Sequence, residues 1–244
     1  MAAPVFKNFT QAALSDTGTA TSPSDTAIGD LVICFVWSQF TTTATTHTIQ
    51  ATFTQIRTQS LNDGTTCGRL SAAAKVATAA GAQSYVPFTI ASATAGQTCA
   101  AIITVTGADT TNPAIWISNS VTDTSANAPD PPSLTGLNDD ALVLAIGAWQ
   151  VTTAGNTAIT PMANYTERID GPAGSHLTHL SVATRAMTGL SNTTEDPALF
   201  VDNVTPNGSA SMTIAIPMVL GHPAMRRWGG IPTMLAGNLI GRTW

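Results

Sequence analysis

The chain has 244 residues and a formal net charge of −5; 43% of its residues are apolar and only 9% are charged. Ordinary globular proteins carry about 25% charged residues, so the ionisable groups needed for a polarised catalytic site are thin here and the composition points to a scaffold or binding protein. Residues 221–244 hold Arg226, Arg227 and Arg242 and no acid, which leaves six basic and 14 acidic residues before them, a net −8; such an acidic body excludes nucleic acid as the main partner, because phosphate contacts need clustered Lys and Arg.

The opening MAAPVFKNFT has no charged region followed by an apolar one, so no signal peptide is read and synthesis in a cytoplasm without classical export is expected. No apolar run approaches the roughly 20 residues that span a bilayer, and no membrane partner is expected. The predicted elements are almost all strands: GDLVICFVW (29–37), GRLSAAAKVAT (68–78), SYVPFTI (84–90), CAAIITVTG (99–107), DALVLAIGAW (140–149), HLSVATRAMTG (179–189) and ASMTIAIPMVL (210–220). Turn residues punctuate them, as in SPSD, NDG, TGADTTNP, TAGNT, DGPAGS and TPNGS. Short strands between Gly, Pro and Asn punctuation predict an all-β fold, a two-sheet β-sandwich or jelly roll. RLSAAAKVATAA is rich in alanine, but its match to HLSVATRAMT favours a strand there too.

That match belongs to a longer repeat. DLVICFVW, FTQIRT, RLSAAAKVAT, PFTI and TCAAIITV recur in order as DALVLAIGAW, YTERID, HLSVATRAMT, ALFVDNV and SMTIAIPM. Trp37 aligns with Trp149, Phe53 with Tyr165, Leu70 with Leu180, Lys75 with Arg185 and Thr78 with Thr188, at offsets between 110 and 112 residues. Two pseudo-repeated halves, about 29–107 and 139–220, are therefore expected within a body of residues 1–221, joined by a proline-rich link at 126–132. They either interleave in one sandwich or close two small barrels; the long apolar strand that opens each half favours one sandwich, where the two cover each other.

Candidate chemistry is sparse. His176 and His179 are three apart, a spacing that on a strand points them to opposite sides, so no metal site is expected and no cofactor either. His47, in TTTATTHTIQ, reads as an exposed loop or edge strand, and His222 as the exit from the last strand. Glu167 and Asp170 are the carboxylates a glycan-cleaving site would use, if an opposing carboxylate faced them across a groove; the simpler reading is the polar side of an outer strand. Glu195-Asp196-Pro197 reads as a turn, and Asp139 and Asp140 as caps on the turn before ALVLAIGAW. GxSxG, GxGxxG and GxxxxGK[ST] are all absent. Of three cysteines, Cys34 reads as a buried free thiol, while a Cys67–Cys99 disulfide stays open. Trp37 and Trp149 end corresponding strands and read as matching structural positions; Trp116 reads as core or rim.

The last segment, MRRWGGIPTMLAGNLIGRTW, lies outside the repeat and reverses the charge of the body. Trp228 and Trp244 have no core of their own to enter, and aromatics with arginine are the usual anchors of protein interfaces. Residues 222–244 are accordingly expected to be a docking arm, with Arg226, Arg227, Trp228, Ile231, Leu235, Leu239, Arg242 and Trp244 as its partner-binding residues.

The threonine- and alanine-rich strands, GDLVICFV, YTERID and the Arg227-Trp228-Gly229-Gly230-Ile231-Pro232 segment together resemble β-sandwich virion proteins of tailed bacteriophages. The resemblance implies a non-enzymatic virion protein: a capsid cement or decoration protein that forms a symmetric oligomer on a viral coat, or a tail or fibre accessory that binds a tail protein. A carbohydrate-binding adhesion module is the competing expectation, with Trp116 and Tyr165 as its exposed aromatics.

Overall fold

The structure, a computed structural model, describes residues 3–11, 18–40, 46–62, 67–91, 98–124, 128–151, 162–171, 178–201 and 206–218. The fold is all-β. In chain order the strands of the first half are β1 (Val5–Gln11), β2 (Ala20–Thr21), β3 (Leu31–Phe40), β4 (Thr46–Ile49), β5 (Thr54–Asn62), β6 (Cys67–Val76), β7 (Ser84–Tyr85), β8 (Phe88–Ala91) and β9 (Thr98–Thr106). Those of the second are β10 (Ser118–Asp123), β11 (Leu134–Leu137), β12 (Ala141–Val151), β13 (Thr166–Gly171), β14 (Thr178–Met187), β15 (Thr193–Glu195) and β16 (Pro206–Pro217). A single 3₁₀ turn at Pro113–Ile115 precedes β10. The alanine-rich stretch is strand, as its match in the other half implies.

Each half builds one antiparallel five-stranded sheet, in the order β1-β9-β3-β6-β5 for the first and β10-β16-β12-β14-β13 for the second. With only its own five strands numbered in chain order, each sheet runs first, fifth, second, fourth, third. The halves therefore do not interleave, yet they do share a core. β5 packs against β10 and β1 against β13, while β9 faces β14 and β6 faces β16. These four contacts form two pairs related by exchange of the halves, while β5 also packs against β16 and β3 against β14 without such a counterpart among the principal contacts.

Strand pleating sets what each sheet buries, because successive side chains point to opposite faces. On β3, Leu31, Ile33, Phe35 and Trp37 enter the central core between the sheets, where they meet Leu142, Leu144, Ile146 and Ala148 of β12. The alternate residues Val32, Cys34 and Val36 point outward, under a lid made of the short pairs β2–β7 and β4–β8. On the second sheet, Val143, Ala145 and Trp149 point outward beneath the pair β11–β15, together with Phe200. The lids explain the unbroken apolar runs: a strand covered on both faces has no polar side to alternate with.

Trp37 and Trp149 do not hold matching positions. Trp37 pairs with Leu70 and Cys99, whereas the residue that pairs with Leu180 and Ala210 is Ala148. A one-residue step along a strand changes the face, so Trp37 lies in the central core and Trp149 in the outer one. Trp37 covers Gly68, where an added Cβ would sit 2.3 Å from its ring. Trp149 instead stacks on His179, with ring centroids 5.4 Å apart. Trp116 is buried and belongs to the central core.

Candidate functional site

The expected docking residues Arg226, Arg227, Trp228, Ile231, Leu235, Leu239, Arg242 and Trp244 lie outside the described residues, as do His176 and His222. Among the described residues no group of three or more His, Cys, Asp or Glu side chains could hold a metal ion, and no helix is long and apolar enough to cross a membrane.

His47 is buried rather than exposed, because β4 and β8 form the lid over the outer face of the first sheet. Its ring nitrogens lie 2.8 Å from the Ser71 hydroxyl and 2.9 Å from that of Ser38, which also accepts from Thr98. Burial, reinforced by the Arg69 charge, pushes the imidazole down to about 3. The three cysteines are buried free thiols, so Cys67 and Cys99 are not bridged.

Glu167 and Asp170 sit on the edge strand β13. A bulge between Glu167 and Ile169 adds a residue, so Glu167 opposes Ala183 and Asp170 opposes Ser181. Directly opposed residues share a face, so both carboxylates lie on the outer face of the sheet. Partial burial, then the Asp170 charge, raises the Glu167 carboxyl above the usual range. The two stand along one strand, not across a groove.

Tyr165 and Trp116 are both buried, so neither offers the open ring expected of a glycan platform. Trp116 does line a pocket of about 200 Å³ together with Leu137, Asp109, Asn112, Asn138 and Asp139. Its indole nitrogen has no hydrogen-bond partner among the described residues.

Two side chains that the sequence placed in register without a role turn out to organise corresponding clusters. On β14, Arg185 forms an ion pair with Glu195 at 2.8 Å, and the Tyr165 hydroxyl donates to the same carboxylate at 2.9 Å. Burial and the Glu195 charge push the Tyr165 phenol well above its ordinary range. Glu195 is thus no turn residue: it lies on β15, paired with Leu134 of β11, and only 4% of its surface is exposed.

On β6, Lys75 stands over the rings of Phe53 and Tyr85, 5.5 and 5.7 Å from their centroids, and the two rings meet edge to face. The correspondence runs through all three members. Phe53 and Tyr165 each close a turn by donating a backbone N–H three residues back, to Gln50 and Met162, just before β5 and β13. Lys75 and Arg185 lie on the corresponding strands, and Tyr85 and Glu195 on the corresponding lid strands, β7 and β15. The constant offset of 110 residues between Lys75 and Arg185 and between Tyr85 and Glu195 was the signal available in the sequence. No protein-family model, curated protein or solved structure matches the chain.

Proposed function

We propose that this chain is a non-catalytic virion structural protein, a capsid cement or decoration protein whose two pseudo-repeated halves form a sandwich body and whose residues 222–244 dock it on a viral coat. The observation that carries the proposal is how the body uses its charges. Lys7 is bound to Asp30 at 2.7 Å, across β1 and the turn before β3. Arg185 is taken by Glu195, and Asp140 accepts the Gly189 N–H at 2.6 Å to close a turn. Arg57 donates to Ser120 at 2.9 Å and Ser120 to Gln59 at 2.8 Å, which stitches β5 to β10. With these charges committed to the fold, the tryptophans and arginines of 222–244 are the natural anchors of a permanent contact. The shared strand order and the reciprocal sheet contacts support the reading of duplicated halves, and a duplicated body suits a symmetric oligomer.

The test is deletion of residues 222–244 followed by co-sedimentation with the particle. A soluble, folded body that no longer sediments is expected; undiminished binding would overturn the proposal. A carbohydrate-binding module is the second reading, and the pocket beside Trp116 is what favours it. In that case glycan-array binding should survive the deletion and disappear in Asp139→Asn combined with Asn138→Ala.

A further inference from the structure

We infer that the open groove at Lys75 is a binding site for a carboxylate, supplied by an Asp or Glu side chain of a partner polypeptide. The groove has a volume of about 430 Å³ and is lined by Gln50, Phe53, Lys75, Gln83, Tyr85 and Val86, among others. Among the described residues no acid lines it. Its counterpart on the other sheet shows what is missing. There the cation on the corresponding strand holds a carboxylate from the corresponding lid strand, at 2.8 Å. In the first half Tyr85 occupies that lid position, so Lys75 keeps an aromatic cradle but gains no anion from it.

A ring face attracts a cation but does not serve its hydrogen-bond donors as an oxygen does. The cradle therefore holds the ammonium in place while leaving its donors for an incoming acceptor. A carboxylate matches both the charge and the donors, and such charge-assisted bonds are about twice as strong as neutral ones. A polypeptide fits better than a small anion for two reasons. The groove is far larger than a carboxylate alone, and Val86 at its wall is 44% exposed, an apolar surface that a neighbouring backbone or side chain would cover. None of the groove's described lining residues falls within 222–244.

The experiment uses the full chain and NMR titration with the blocked peptide acetyl-Ala-Glu-Ala-amide. Saturable shifts at Lys75, Phe53 and Tyr85 are expected. The glutamine peptide should bind at least tenfold more weakly, and Lys75→Met should abolish binding while its apolar stem keeps the packing. Tyr85→Glu should place an internal acid where the second half has one and thereby displace the peptide; should that variant fail to fold, Lys75→Met alone decides. Absence of shifts, equal binding of the glutamine peptide, or unchanged binding by Lys75→Met would each overturn the site. Acetate binding as tightly as the peptide would overturn the assignment to a polypeptide.

Discussion

Lys75 and Arg185 stand at corresponding points of two sheets with one strand order, yet among the described residues only Arg185 of the two has an acidic partner, Glu195. The structural consequence is unequal. Glu195 is almost fully enclosed and accepts from both Arg185 and Tyr165. Glu195→Gln leaves a guanidinium without its charge partner and should cost about 1–3 kcal/mol, at the lower end because the Arg185 side chain is 36% exposed. Lys75→Met removes no ion pair among the described residues and should cost less than about 1 kcal/mol. Urea unfolding of the two variants checks the order; equal costs would mean that the two cations play the same structural part.

Of the described glycines, Gly68 has the least room for a side chain. A Cβ there would lie 2.3 Å from the buried Trp37 ring, whereas a Cβ at Gly208 would meet a terminal methyl of the buried Leu61 side chain at 2.9 Å, a milder overlap. Overpacking of a rigid site costs about 1–3 kcal/mol or more. Gly68→Ala should therefore lower the unfolding midpoint more than Gly208→Ala does. Near-equal midpoints would show that Trp37 has room to move.

The long strands were legible because they are covered on both faces: LVICFVW and ALVLAIGAW are apolar without a break and bounded by turns. The edge strands β1 and β10 were not. VFKNFTQ and SNSVTD carry polar residues on partly solvated faces and have little apolar pattern to read. The expected repeat aligned Lys75 with Arg185, but an alignment cannot resolve a one-residue step, so Trp37 was matched to Trp149 rather than to Ala148. The burial of His47 and the strand position of Glu195 were missed for a common reason. Polar residues on two- to four-residue lid strands look like loop residues until the lid is seen to lie on a sheet.

The thiols should report unfolding cleanly. Burial pushes Cys34 well above its ordinary range and Cys99 up to about 12, so neither forms the thiolate that reacts at neutral pH. A disulfide-exchange reagent should leave both untouched in the native protein and titrate all three cysteines only after denaturation. Rapid labelling of Cys34 or Cys99 under native conditions would show that the lids open far more readily than their packing implies.

Acid should act through His47. Its folded-state value of about 3 lies below the roughly 6.5 of an unfolded histidine, so the native state resists protonation. Above about pH 6.5 both states are neutral and the stabilisation is complete. Below it the unfolded chain takes up a proton that the folded one refuses, and stability falls by about 1.4 kcal/mol per pH unit until about pH 3. At pH 5 the loss from this one group is about 2 kcal/mol. His47→Gln keeps a polar partner for Ser38 and Ser71 but cannot titrate, so it should cost about 1 kcal/mol at pH 7 and recover that disadvantage as the pH falls. The observable is the difference between the two proteins in urea unfolding at pH 7 and pH 5. A difference that stays constant would mean that the β4–β8 lid opens and lets His47 protonate without unfolding the sheet beneath it. Hydrogen exchange confined to Thr46–Ile49 would then be fast at pH 5 while that of β3 and β6 stays slow.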